Sequence, residues 1–441
     1  MKIRFALVGI GLCVSVVATT KAATTKAAAT NVPGAISFNK DIAPILQKNC
    51  QSCHRPGEAA PMSFLTYQDV RPWASAIKEA AALKTMPPWF ADQRFGHWAN
   101  DRSLTKADIE TLVRWAESGA AEGDPKDAPA PIKFIEGWNI AKPDMVLEMP
   151  SEFQVPASGT IDYQYIMIPG KFAEDKWIRM AEIRPGNRAV VHHVIAFVRP
   201  PGSKWMEAAK PGIPYVPEKN SEEGGPHEFL VGFAPGTAPE ILDSGRAKLI
   251  KAGSDIIFQM HYTANGKAAT DRTRIGVVFT DEPVKERVFT LGAGTKKFAI
   301  PPGDPNYRVD ARLEIAHDAK IISYQPHMHL RGKDFEYRIT FPDGRTETLL
   351  SVPHYSFSWQ LGYKPAQELA LPAGAVIECT AHYDNSVNNP NNPDATKEVD
   401  YGDQSWDEMM IGFFEVAFEA TLDPKDLVPK KRAGRAEKRG L

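Results

Sequence analysis

Apolar positions along residues 36–118 recur at helical spacing, in segments such as Phe38–Lys48, Pro72–Leu83 and Thr105–Ser118. In the last, Ile109, Leu112, Val113 and Ala116 share one face. Thr105 stands as N-cap with Asp108 completing an approximate capping box, and Gly119 supplies the stop. The stretch Ala120–Pro131, rich in Pro, Ala and charge and without apolar periodicity, reads as a linker. From Trp138 to about Ala420 the pattern changes to short alternating strands: Ile161–Ile168, Ala189–Val198, Asp255–Tyr262, Ile275–Phe279, Ile321–Pro326 and Phe335–Phe341. Turns such as Pro342-Asp343-Gly344 and Pro372-Ala373-Gly374 separate them at β-sandwich spacing. Roughly 280 residues exceed one sandwich, so the region divides into two near Lys285–Val288.

Composition agrees with packed domains. The 441 residues carry 52 Lys+Arg against 54 Asp+Glu, a net charge of −2 that argues against a globally basic nucleic-acid binder. With 43% hydrophobic residues wholesale disorder is excluded, and 32 Gly with 36 Pro favour turn-rich β structure. Lys2 and Arg4 precede the apolar run Phe5–Ala18 and small residues to Ala23, the pattern of a signal peptide over 1–23 and too short for a comfortable membrane span. Leu12 stands where a lipoprotein signal around Cys13 wants a small residue, which disfavours lipidation. Cleavage would leave 49 cations against 54 acids, and three cysteines, Cys50, Cys53 and Cys379, too few for a disulfide scaffold. The tail 425–441, with seven cations and two acids, reads as a solvated basic run.

Cys50-Gln51-Ser52-Cys53-His54 is CxxCH, in which two thiols can add to haem vinyl groups while the histidine binds iron. A redox dithiol would need a thioredoxin-like βαβ setting, and a zinc half-site a second ligand pair; neither pattern is present. With helices on both sides, residues 36–119 resemble a small c-type cytochrome. The sixth iron ligand is then expected at Met86, on the Pro-stiffened run Met86-Pro87-Pro88, with Met62 and His97 as rivals.

The β region holds His192-His193, His261 and His327-Met328-His329. An HxH pair on a strand puts both imidazoles on one face, so His327 and His329 can share a metal. Adjacent strand residues point opposite ways, so His192 and His193 share one only if the strand bulges there; otherwise one of them packs. In order and spacing, Val190-Val191-His192-His193-Val194, Gln259-Met260-His261-Tyr262, His327-Met328-His329-Leu330, Ile377-Glu378-Cys379-Thr380 and Asp407-Glu408-Met409-Met410 resemble the copper type II, ascorbate-dependent monooxygenases. That is the family of dopamine β-monooxygenase and peptidylglycine α-hydroxylating monooxygenase, and the likeness spans about 138–420. The resemblance implies an electron-transfer copper at His192, His193 and His261, and an oxygen-binding copper at His327, His329 and Met409. Met410 is the alternative in register. Two imidazoles and a thioether suit Cu(I) and not Mg²⁺ or Ca²⁺.

Departures bear on substrate. Cys379 is alone where animal members of the family use several disulfides, and the positions at which peptidylglycine enzymes grip a carboxylate hold Gln325, Ile411 and Phe413. A peptide C-terminus is therefore not the expected substrate, and nothing specifies a catecholamine. His227, His317, His354 and His382 are expected at the surface or behind the ligands, and Gln259 to orient the first site.

The expected fold class is multidomain: an all-α cytochrome c domain (36–119), a linker (120–137), and two all-β, jelly-roll-like β-sandwich copper domains (138–286 and 287–424), followed by the basic tail (425–441). The expected function is an exported, periplasmic or secreted monooxygenase with one covalent haem c and two coppers. It would hydroxylate a small-molecule C–H bond with O2, using ascorbate or a redox protein as donor and the haem as electron inlet, with no nucleic-acid partner and no membrane anchor after signal cleavage. The competing reading is a haem and copper electron carrier or copper-handling protein without oxygenase activity.

Overall fold

The computed structural model describes residues 36–58, 60–135, 137–217 and 228–429. The expected signal peptide, His227 and the basic tail beyond 429 lie outside the described residues.

Strand dominates the chain, and the expected all-α cytochrome domain is not there. Its helices are short: a π-turn at Phe38–Ile42 running into Ala43–Asn49, then Tyr67–Val70, Arg71–Trp73, Ala74–Ala82 and Lys106–Glu117. The Thr105–Asp108 box forms in full and starts the last of these, which buries Leu112 and Trp115 against Phe38, Ile42 and Leu46. Between Ala82 and Lys106, however, the chain leaves this small core and straps across the far end of the β region. Asp92 N–H donates to Ser351 O at 2.8 Å, Ala99 N–H to Lys364 O at 2.8 Å, and Trp98 bridges Pro365. Trp89 and Ala91 are buried in the core of the second β unit, and Trp98 packs on Tyr324 and Tyr363. The correction has a simple cause: two tryptophans with no helical partner find their apolar surface in residues hundreds of positions away. The linker also departs from a free tether, since Phe38 and Asn39 N–H groups donate to Ala121 and Glu122 carbonyls, both at 2.9 Å.

The two β units have separate cores but share one sheet. A nine-stranded sheet runs through both, in the order Met145–Glu148, Arg274–Phe279, Lys176–Arg184, Arg246–Ile250, Glu286–Gly294, Ile411–Glu419, Ala319–His327 and Leu369–Leu371, with Glu240–Ile241 attached to Lys176–Arg184. The seam is a short parallel pairing of Arg246 and Ala247 with Glu286 and Arg287. A four-stranded sheet (Gln164–Ile168, Asp255–Tyr262, Val191–Arg199, Glu228–Phe233) covers the first half around Ile166, Val194, Phe258 and Ile275. Another (Tyr307–Glu314, Val376–Tyr383, Gly332–Thr340, Thr346–Val352) covers the second around Tyr337, Ile377 and Phe414. Strict alternation in Val376–Tyr383, with Ile377, Cys379, Ala381 and Tyr383 inward, is the period-two signal realised.

At the seam Lys248 is only 1% exposed. Its ammonium donates to Glu415 at 2.6 Å, to the Leu230 carbonyl at 2.8 Å and to Glu240 at 3.4 Å. A cation from one unit is thereby held by the last strand of the other, and this fixes how the two halves face each other. Among the described residues no helix is long and apolar enough to cross a membrane.

Candidate metal and haem sites

His192 and His193 lie on the strand Val191–Arg199, paired with Asp255–Tyr262. Val191 stands opposite Tyr262 and His193 opposite His261, so His192 is an extra residue bulged out of the ladder. That is the bulge adjacent histidines need to aim at one point. The ligating atoms of His192, His193 and His261 lie within 4.8 Å of one another. Nδ1 of His193 and Nδ1 of His261 face each other at 3.4 Å, and Nδ1 of His192 is buried without a partner.

The second set is built at a strand end. His327 closes Ala319–His327, and the His329 ring lies 5.2 Å from it, nearly perpendicular. Both rings are held from behind: Nδ1 of His327 meets Gln360 Oε1 at 2.8 Å and Nδ1 of His329 meets the Asp407 carbonyl at 3.2 Å. With Nδ1–H donated in each case, the Nε2 lone pairs point forward, and Nε2 of His329 is buried with no partner. The Tyr355 hydroxyl pins the intervening Met328 by accepting from its N–H at 3.1 Å and donating to its carbonyl at 2.7 Å. Glu408, fully buried, accepts from the backbone N–H groups of His329 (2.9 Å) and Arg331 (2.7 Å). Burial pushes its carboxyl up to about 8 against those bonds.

His327 pairs with Ile411 at the end of that ladder, two residues short of His329 on one side and of Met409 on the other. Met410 is 0% exposed, in the core, while Met409 is half-buried on the other face. Core packing occupies Met410, whereas Met409 lies outside that core.

The two sets face each other. Phe357, from the second half, lies 5.6 Å from His192, 6.0 Å from His261 and 5.9 Å from His329, ring centre to ring centre. Tyr163, from the first, lies 5.2 Å from His193, 4.7 Å from His261 and 6.5 Å from His329. Burial lowers every imidazole: His261 to about 3 with help from His192, His327 to about 4 against the Gln360 bond, and His193 and His329 well below their ordinary range. All are neutral near pH 7, with lone pairs free. A set of neutral, partly unpartnered imidazole nitrogens fits copper and does not fit a hard cation. A cavity of about 510 Å³, lined by His193, Gln325, Gln360, Phe413 and Tyr363 among others, opens beside both sets.

Cys50 caps Ala43–Asn49, and the Cys53 and His54 N–H groups turn back to its carbonyl at 3.1 and 2.9 Å. Burial first, then Cys53, pushes the Cys50 thiol up to about 12. The His54 ring stacks on Phe64 at 4.1 Å with Nδ1 buried and unpartnered. Cys53 lines a cavity of about 500 Å³ between this segment and the first β unit. Gly236 keeps that space open: a Cβ there would lie 3.0 Å from Arg102 Nη1 and 4.0 Å from Cys53 Sγ. Two free thiols, an imidazole with Nδ1 unpartnered and bonded otherwise to the Met62 backbone, and an open flank are the donor set a covalent haem would use.

The expected sixth ligand, Met86, lies just beyond the helix Ala74–Ala82. Met86 is tied by its N–H to the Ala80 carbonyl at its own helix end. Met62 comes nearer, its backbone opposing the burial that lowers His54. His97 is exposed, its carbonyl bound by Ala366 of the second β unit. Gln259 donates to the Tyr165 hydroxyl and not to a histidine. His382 pairs with Asp334 at 2.6 Å, and His317 and His354 are exposed. Sequence reasoning missed Tyr163, Phe357, Gln360 and Tyr355. The aromatic run His354-Tyr355-Ser356-Phe357-Ser358-Trp359-Gln360 was the available signal for three of them.

No family model matches the chain, and no curated protein does. Solved structures similar to part of it include infectious bursal disease virus Gx strain, at 10% identity over 66% of this chain and 77% of that chain with a TM-score of 0.19. Another is the infectious bursal disease virus VP2 subviral particle, at 10% identity over 65% and 74% with a TM-score of 0.20. Superpositions at that level carry no argument about fold or function.

Proposed function

We propose that the protein is an exported copper-dependent monooxygenase carrying a covalent haem. The observation that carries this reading is the meeting of two histidine sets, all neutral, across Phe357 and Tyr163. His192, His193 and His261 would hold one copper, His327, His329 and Met409 the other, and Cys50, Cys53 and His54 the haem. The coppers supply one-electron chemistry with O2 and the haem an electron inlet. The balanced reaction is C–H substrate plus O2, two electrons and two protons, giving the alcohol and water, with ascorbate or a redox protein as the ultimate donor.

The chain's own contribution is positioning. Gln360 and the Asp407 carbonyl hold the His327 and His329 rings in the tautomer that presents Nε2. Tyr163 and Phe357 keep water from between the two sets. Gln325 and Phe413, on the same strand face as His327, offer no cation for a carboxylate substrate, which supports a neutral small molecule over a peptide terminus.

The test is metal and haem analysis of the matured full chain, then oxygen uptake with ascorbate across candidate C–H substrates. Two coppers, one covalent haem and product formed in step with O2 are expected. The second reading, a haem and copper electron carrier or copper-handling protein, draws on how closely Phe357 fills the gap between the sets. Bound copper with no substrate-dependent uptake would select it.

A further inference from the structure

The cavity of about 510 Å³ beside the histidine sets also reaches the seam, where Glu240 and Glu415 line it. Glu415 accepts from Lys248 at 2.6 Å and from the Ser323 hydroxyl at 2.9 Å, and Lys248 reaches Glu240 at 3.4 Å. Ser323, Gln325 and His327 alternate onto one face of their strand, so hydroxyl, amide and imidazole follow one another at steps of about 6.6 Å. Gln360, on the same cavity, bonds the His327 ring at the end of that row. Two buried atoms on the cavity wall have no hydrogen-bond partner: Thr290 Oγ1, whose residue stands opposite Glu415 in the sheet, and Gln360 Nε2. Ordered water satisfies buried polar atoms of this kind, and the cavity has room for several molecules at roughly 30 Å³ each.

At the seam the charges do not balance. Two mostly buried carboxyls share one ammonium, so ionising both leaves an excess negative charge out of water. The other charges that face them are taken or lie at the mouth: Glu228 is held by Arg287 at 2.8 Å, Arg246 by Glu286 and Glu368, and Lys364 and Asp243 are exposed. Burial first, then Glu415, raises Glu240 to about 7 against Lys248, while Lys248 holds Glu415 low against its own burial. One exchangeable proton is thus held at the seam near neutral pH.

We infer that Glu240, Glu415 and Lys248 form a proton relay that serves the second histidine set along Ser323, Gln325, Gln360 and cavity water. The inference rests on the oxygenase reading, whose reaction takes up two protons for each O2. Glu240 yields its proton toward the cavity, Lys248 stabilises the carboxylate left behind, and a solvent proton entering past Lys364 and Asp243 restores it. Two such cycles supply one turnover, and no electron moves in the relay.

The test uses the full chain matured with haem, as wild type, Glu240→Gln and Glu240→Asp. Infrared difference spectra of the copper-free protein come first. Wild type should show a carboxyl band that is lost as pH rises through about 7, and Glu240→Gln should lack part of it, keeping what Glu228 and Glu408 contribute. Identical bands overturn the relay. After copper loading, wild type with no substrate-dependent O2 uptake overturns the oxygenase reading itself. With uptake present, Glu240→Gln should lower kcat by roughly tenfold or more at unchanged KM and copper content, with a larger solvent deuterium effect. Wild-type kcat should fall above about pH 7 as the carboxyl ionises, the Glu240→Gln profile should be flat there, and Glu240→Asp should restore most of the rate and the limb. An unchanged kcat, or a lowered one that keeps the same limb, overturns the relay. If Glu240→Gln does not accumulate, Ser323→Ala carries the test: a severalfold lower kcat with a larger solvent deuterium effect supports the route, and an unchanged kcat overturns it.

Discussion

Replacing Gln360 by Leu isolates what holds His327 in place. The Gln360 Oε1 to His327 Nδ1 contact of 2.8 Å fixes the tautomer, and the amide is 8% exposed, so water does not take over its role. Without an acceptor the buried Nδ1–H forfeits about 1–3 kcal/mol, which the ring escapes by moving its proton to Nε2, the atom the metal needs. Partners of this kind change metal affinity by about 10- to 100-fold, or ~1.4–2.8 kcal/mol. We therefore expect Gln360→Leu to weaken Cu(I) at the second site by that factor and leave the His192/His193/His261 site unchanged. Gln360→Glu should restore it. Competition with a chromophoric Cu(I) chelator, run also in a His193→Ala/His261→Ala background to separate the sites, measures this. A change below about threefold at the second site, or an equal loss at both, would refute the tautomer argument.

Other outcomes follow from the same geometry. Met409→Leu should weaken Cu(I) more than Cu(II) at the second site with stability intact, whereas Met410→Leu, in the core, should cost less than about 1.5 kcal/mol of stability and spare the metal; the reverse pattern in paired titrations and melts would reassign the ligand. Lys248→Met leaves Glu415 and Glu240 buried without their cation and should lose about 3–5 kcal/mol in denaturant titrations. Adding Glu415→Leu and Glu240→Leu should recover much of that, and a single variant as stable as wild type would mean the seam rests on the sheet alone.

What the sequence disclosed and what it hid divide along range. The Thr105 cap and the period of Asp255–Tyr262 are local, and both stand at the positions the pattern gives. The bulge at His192 was stated as a condition because two adjacent side chains cannot otherwise converge, and the paired strand supplies it. The strap was illegible: nothing in the local pattern of Trp89 and Trp98 says that they pack on Tyr363 and Tyr324. The shared sheet depends on a two-residue parallel contact that no period encodes. Phe357 was passed over for a related reason. An aromatic in a loop has many uses, and only the folded arrangement sets it between His192 and His329.

The stability of the metal-free protein should depend on pH in a way the buried groups dictate. His193, His261, His327 and His329 all have folded pKa values depressed by burial below the unfolded value near 6.5, so their neutral forms are favoured in the fold. Such groups contribute stability above 6.5 that is lost as pH falls, each at up to about 1.4 kcal/mol per pH unit, so the four together reach roughly 5 kcal/mol per unit. Glu228 and Glu240 act oppositely. Burial raises each to about 7, so they contribute below 4.5 and lose that contribution as pH rises toward 7. Glu408, raised to about 8, extends the loss further. With His192 lowered likewise by burial, five histidines stand against three carboxyls near pH 5, and above about 6.5 only the carboxyls still titrate. Stability of apoprotein should therefore rise by no more than about 2.7 kcal/mol per pH unit near pH 5, level near pH 6, and decline toward pH 8. Bound copper should raise stability near neutral pH and extend the acid limb to lower pH, because it keeps the folded imidazoles unprotonated while the unfolded chain still takes up protons. Glu240→Gln should steepen the acid limb between about pH 5 and 7, where that carboxyl opposes the histidines. Denaturant melts of apoprotein across this range decide the matter. In a Glu228→Gln/Glu240→Gln/Glu408→Gln background, where the histidines titrate without opposition, an acid limb no steeper than one histidine allows would mean the imidazoles reach water, and the picture of two buried, facing sets would fall with it.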